Sequence, residues 1–116
     1  MFGLTMRWSL LGAPPDVEAT LRDYIRTESL SRFEGRDRLH QMVVTMAEGG
    51  FFAGTYIWTD EAARTEFVDT FAASASRVSQ IIGHEPDVIE HFEVVAVAEG
   101  AAGLAPLTSL GSAYRD

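Results

Sequence analysis

The sequence predicts an α+β domain with the element order β-α-β-β-α-β and a four-stranded antiparallel sheet. Three observations carry this prediction. Apolar residues alternate strictly over residues 2–10, two strand-like stretches are joined by the short turn Glu48-Gly49-Gly50, and two stretches with 3.6-residue apolar spacing fall between strands.

In the first strand Phe2, Leu4, Met6, Trp8 and Leu10 alternate with Gly3, Thr5, Arg7 and Ser9, the period of a half-buried strand. Gly12-Ala13-Pro14-Pro15-Asp16 ends it, and Pro15 suits a first helical turn, where a missing N–H costs nothing. Val17, Leu21, Tyr24 and Ile25 then form one stripe with charges opposite, so a helix runs to a point between Thr27 and Phe33. The stretch ESLSRFEGRDR, residues 28–38, reads as a charged connection.

Residues 39–47 and 51–58 read as the second and third strands, and their tight turn makes them antiparallel neighbours. Asp60 and Glu61 put negative charge where a helix start favours it. Ala63, Phe67, Phe71, Ala75, Val78 and Ile82 carry one helix on to Gly83, a natural stop, with Arg77 near its end as a cation suited to the helix dipole. The last strand is expected from about residue 88 to 97.

This order is the split β-α-β, or ferredoxin-like, arrangement, with both helices on one face of the sheet. The other face is not polar. Val43, Ala47, Phe51, Ala53, Ile57, Val95 and Val97 fall outside the set that holds Tyr56 and Trp58, and covering them calls for a second layer that a homodimer packed sheet to sheet would supply. The domain is expected to span 1–98. Residues 99–116 form an Ala- and Gly-rich tail whose Leu104, Leu107 and Leu110 are placed to pack across a partner.

At 116 residues and 47% hydrophobic composition the chain is expected to be one globular domain. A net charge of −8 argues against a nucleic-acid partner, which needs clustered cations. No apolar run approaches the roughly 20 residues of a membrane span, and the N-terminus lacks a basic region followed by an apolar one. No membrane association and a cytoplasmic location are therefore expected. The absence of cysteine removes disulfides and thiolate chemistry, and the absence of lysine removes a Schiff base. No metal site is expected, because no two of the three histidines stand at a spacing that presents a ready pair.

The stretches LHQMVVTM, AGTYIWTDEAA and EPDVIEHFEVVAV resemble the YdhR-like branch of the dimeric α/β-barrel superfamily, which contains many proteins regarded as monooxygenases. The matching positions are Ala53, Gly54, Tyr56 and Trp58, then Asp60 and Glu61, then Pro86, Val88, Phe92 and Val94, within a likeness that covers roughly residues 2–97. Met42 stands where that family often has a basic residue, and Ala53 replaces the first glycine of its pair. The resemblance implies a homodimer and oxygenase chemistry. The superfamily also contains haem-degrading enzymes, lyases and isomerases.

The candidate catalytic residues are His40 and Tyr56. Histidine is the residue type suited to general-base work, and His40 lies on the second strand beside the strand of Tyr56 and Trp58, whereas His84 and His91 fall in a turn and on the last strand. The candidate substrate-binding residues are Trp58, Arg7, Phe67, Phe71 and Met42. Gly54 is expected to leave room beside Tyr56 and Trp58 for a flat ligand. Together these give an oxygenase that uses no cofactor: a base deprotonates an electron-rich aromatic small molecule, molecular oxygen takes its electrons, and Tyr56, Trp58 and Arg7 hold the anion. A cyclase, isomerase or lyase on the same fold, or a non-catalytic small-molecule-binding domain, are the alternatives.

Overall fold

A computed structural model describes residues 1–73 and 76–105 of the chain. Its elements are β1 (Phe2–Ser9), α1 (Val17–Tyr24), a π-helical segment (Ile25–Ser29), α2 (Leu30–Phe33), β2 (Leu39–Ala47), β3 (Phe51–Trp58), α3 (Glu61–Ala73), α4 (Arg77–Ile82) and β4 (Val88–Glu93). The four strands form one antiparallel sheet in the order β2-β3-β1-β4, the ferredoxin-like topology that the element order predicts.

The alternation in β1 becomes its burial. Leu4, Met6 and Trp8 are buried against the helices together with Phe52 and Trp58 of β3, Leu21 of α1, Ala63 and Phe67 of α3 and Ile82 of α4. Trp8 donates its indole N–H to Ser79 Oγ on α4 at 3.1 Å, which ties the central strand to the helical layer. Leaving that buried donor without a partner would cost about 1–3 kcal/mol. At the start of α3 the Asp60 carboxylate accepts from the Ala63 N–H at 2.8 Å. That bond, above all, holds its pKa below the ordinary carboxylate range.

The second helix and the last strand differ from the sequence reading. The second helix is not continuous: α3 ends at Ala73 and α4 begins at Arg77, where Ser76 turns extended and its hydroxyl accepts from the Ser79 N–H as a fresh N-cap. Ala75, assigned above to a continuous helix, lies outside the described residues. Arg77 therefore opens a short helix instead of ending a long one, so it cannot serve a C-terminal dipole there. The last strand stops at Glu93 and not at residue 97, because β1 offers its last carbonyl at Met1, to which the Val94 N–H donates at 3.2 Å. Beyond it Val95 and Val97 are 92% and 65% exposed. In the tail Leu104 is exposed, while Leu107 and Leu110 lie outside the described residues. Among the described residues no helix is long and apolar enough to cross a membrane.

The loop before β4 closes on the end of β1. Asp87 donates its N–H to the Arg7 carbonyl at 2.8 Å and accepts from the Ser9 N–H, while the two ring nitrogens of His84 face the carbonyls of Glu85 (2.8 Å) and Ser9 (2.9 Å). Two carbonyls need two N–H donors, which only the imidazolium has. These bonds, the Glu85 one first, raise the His84 pKa above its ordinary value. A raised folded-state pKa gives stability that is complete below the unfolded value, about 6.5, and is lost as pH rises through the folded value. The melting-temperature difference between wild type and His84→Ala is thus expected to be largest near about pH 5.5 and to vanish in mildly alkaline buffer. A difference that is flat with pH would mean the ring does not act as a charged clamp.

Candidate functional site

Between the sheet and the helices lies a cavity of about 280 Å³. This is close to the lower end, about 300 Å³, of known small-molecule sites. Its base is built on neighbouring strands in register: Trp8 pairs with Phe52, and Val44 pairs with Gly54. The Trp8 ring lies 5.9 Å from Phe52 and 6.2 Å from Phe71, and makes one wall. Tyr24 and Ile25 line it from above, and the π-helical segment that follows brings Ser29 into the lining one turn later. Such an inserted turn is common at functional sites, because it re-aims the residues beyond it. Here those residues are Arg32 and Phe33, then Arg36.

The far wall is an aromatic cluster. Tyr56 lies 4.6 Å from Phe67 and 5.5 Å from Phe33, and is stacked on Trp58 at 6.5 Å and 14°. The Arg36 guanidinium sits over three of these rings, 5.2 Å from Phe33, 5.3 Å from Trp58 and 5.5 Å from Phe67. Burial first, and then the Tyr24 phenol, push the Tyr56 hydroxyl above the ordinary tyrosine range, with the Arg36 charge working the other way. Tyr56 therefore remains a neutral phenol at physiological pH, able to donate one hydrogen bond. Its hydroxyl has no hydrogen-bond partner among the described residues.

Gly54 plays a different part from the one expected. A Cβ built there would lie 2.8 Å from the Tyr56 hydroxyl oxygen and 3.1 Å from Cε2 and Cζ of the same ring. The space left by the missing side chain is taken up by Tyr56 itself, which folds back along its own strand. The glycine thus shapes the cavity by placing the phenol.

Of the seven candidate residues, Tyr56, Phe67 and Phe71 line the cavity. Trp58 is buried behind Tyr56, 2% exposed. Met42 pairs with Tyr56 on the same sheet face and is half-buried outside the lining. His40 is not brought in. It is the extra residue where the β2–β3 register slips between Leu39 and Gln41, and that bulge leaves it exposed on the edge strand. Arg7 belongs to the opposite face, exposed and 5.5 Å from the Phe51 ring.

Trp8, Tyr24, Arg32, Phe33, Arg36 and Arg77 also line the cavity and were not singled out for it in the sequence. A signal existed for Phe33, since Leu21, Ile25, Ser29 and Phe33 recur every four residues and extend the helical stripe into the supposed connection. No group of three or more His, Asp or Glu side chains is gathered as a metal-ligand set among the described residues.

Neither a family model nor a curated protein matches the chain. Solved structures do resemble it. A protein of unknown function from Nitrosomonas europaea is 22% identical with a TM-score of 0.62, over 86% of this chain and 94% of that one. An antibiotic biosynthesis monooxygenase is 16% identical with a TM-score of 0.52, over 83% of this chain and all of that one. A dimeric ferredoxin-like protein from an uncultured marine organism is 12% identical with a TM-score of 0.52, over 85% and 90% of the two chains. At these identities the likeness is one of fold, and the chain has the ferredoxin-like fold of all three.

Proposed function

We propose that the chain is a member of the YdhR-like branch and acts as a monooxygenase that uses no cofactor, oxidising an electron-rich aromatic small molecule in the cavity between sheet and helices. The observation that carries this reading is the Tyr56 hydroxyl, a neutral donor without a protein partner, facing a ring-lined space beside the Arg36 cation. The fold shared with an antibiotic biosynthesis monooxygenase supports it.

The substrate supplies the electrons. An activated methylene or phenol ionises to its enolate or phenolate. The Tyr56 hydroxyl donates to the anionic oxygen, and the Arg36 charge lowers the cost of that anion. One electron passes to molecular oxygen, the resulting radical pair forms a C–O bond, and the peroxide takes up a proton. Breaking the O–O and C–H bonds then leaves a C=O group and releases water. The net change is CH2 + O2 → C=O + H2O. No histidine or carboxylate is among the described lining residues, so the proton leaves to water.

A homodimer packed through the outer sheet face completes this reading, with Val43 at 42% exposure among the residues a second copy would cover. The lack of a base in the lining favours one second reading, a small-molecule-binding domain without chemistry. Oxygen uptake by chelator-treated protein with anthrones and naphthols distinguishes the two. Uptake that falls at least about tenfold in Tyr56→Phe and Arg36→Gln is the expected result, one charge-assisted bond being worth about that much. His40→Ala in the same assay asks whether a base on β2 acts. Binding with no uptake above the protein-free rate would replace the oxygenase with the binding domain.

A further inference from the structure

We infer that the ligand of this cavity is an organic anion, an aromatic acid whose carboxylate is received by Arg32, Arg36 and Arg77. The inference rests on the cavity being the ligand site, and not on the reaction being an oxidation. The chain has seventeen Asp and Glu against nine Arg, yet among the described residues the cavity lining holds three arginines and no carboxylate. Like charges in one cavity repel one another, and a carboxylate among them would relieve that repulsion.

These three have no such relief. Among the described residues the ion pairs of arginine run from Arg22 to Glu48, from Arg26 to Asp23 and from Arg38 to Asp60 and Glu66, and none involves Arg32, Arg36 or Arg77. Arg32 makes one side-chain hydrogen bond, to the Tyr24 hydroxyl at 3.5 Å, and this bond leaves most of its donors free. Arg36 is held by cation–π contacts to Phe33, Trp58 and Phe67, which do not use its N–H groups as conventional hydrogen bonds would. Arg77 is the first residue of α4, and its exposed side chain lines the same space. All three are exposed while Trp8 and Phe52 are buried, so the cavity is apolar at its base and cationic where it opens. An aromatic body with a carboxylate at one end fits both halves. A neutral aromatic would satisfy only the base.

The probe is 1-hydroxy-2-naphthoate against its methyl ester, titrated into the full chain and followed by quenching of the tryptophan fluorescence. The acid is expected to bind at least about tenfold more tightly than the ester, charge-assisted bidentate pairing being worth that much or more. This preference should shrink in Arg36→Gln and Arg77→Gln and disappear in the triple Gln variant, and salt should weaken the acid but not the ester. Arg26→Gln, at a surface pair away from the cavity, should keep the full preference. Equal binding of acid and ester, or a preference that survives in a folded triple variant, overturns the inference. Arginine-dependent binding of the acid with no oxygen uptake on any quinol leaves it standing while the oxygenase reading fails. Uptake without any preference for the acid does the reverse.

Discussion

Gly54→Val is expected to lower affinity for any cavity ligand by at least about tenfold while leaving the sheet assembled. A Cβ at position 54 meets the Tyr56 hydroxyl oxygen at 2.8 Å, and valine adds two methyl groups beyond it. On backbone grounds valine in a strand is favourable, so the effect is steric alone. Tyr56 cannot yield freely, because its ring is packed 4.6 Å from Phe67 and 5.5 Å from Phe33 and is stacked on Trp58. The phenol must swing into the cavity, occupying the ligand's space and moving its donor off target. Overpacking of this kind costs about 1–3 kcal/mol in stability.

A control separates this from general damage. Gly54→Ala in a Tyr56→Phe background removes the atom at 2.8 Å and leaves contacts at 3.1 Å, so part of the stability lost by Gly54→Ala alone should return. Ligand binding should not return with it, since the hydroxyl is gone. Thermal melts and fluorescence titrations of the four proteins of the cycle measure both quantities. Purely additive effects on stability would mean that Tyr56 does not fold back over Gly54.

The strands were legible because a buried face with period two leaves its mark directly in the sequence. β1, β2 and β3 lie within a residue of where alternation and the Glu48-Gly49-Gly50 turn put them. The helical layer was less so. Ala63, Phe67, Phe71, Val78 and Ile82 keep a helical spacing across a break, since packing against one sheet demands the same spacing from two short helices as from one. Only Ser76, an N-cap serine three residues before Ser79, marks the restart locally. The apolar residues after β4 misled for the opposite reason. Val94, Val95 and Val97 suit a strand, but a strand also needs a partner, and β1 has no rung left beyond Met1.

The site was half legible. Tyr56, Phe67 and Phe71 fell out of periodicity because they are core residues first. His40 failed on register: one bulge removes it from the alternation that Met42, Val44 and Met46 obey. The arginines were hidden for a physical reason too. A charged stretch between a helix and a strand has the composition of a solvated loop, and nothing in that composition marks the π-helical turn at Ile25–Ser29, after which Arg32 and Arg36 line the cavity.

The second large effect is expected on the opposite face, at Gly3. A Cβ there would lie 2.0, 2.2 and 2.5 Å from three atoms of the Phe92 ring, much closer than any real contact, so the ring covers the glycine flat. Gly3 and Phe92 are register partners across β1 and β4, and Arg64 donates to both of their carbonyls at 3.2 Å, which prevents the strands from sliding to relieve a clash. Gly3→Val must therefore turn Phe92 away from the sheet. The burial lost with a large aromatic side chain, about 1.5–3 kcal/mol, outweighs the roughly 1 kcal/mol that valine gains over glycine in a strand. β4 is an edge strand joined to the sheet through β1 alone, so it should loosen first. Faster hydrogen exchange at the β4 amides, ahead of those in β3, is the expected signature. The double variant Gly3→Val, Phe92→Ala should recover much of the β1–β4 pairing, because the clash is gone. Gly3→Val as stable as wild type, with β4 amides still protected, would mean that the Phe92 ring does not lie over the strand.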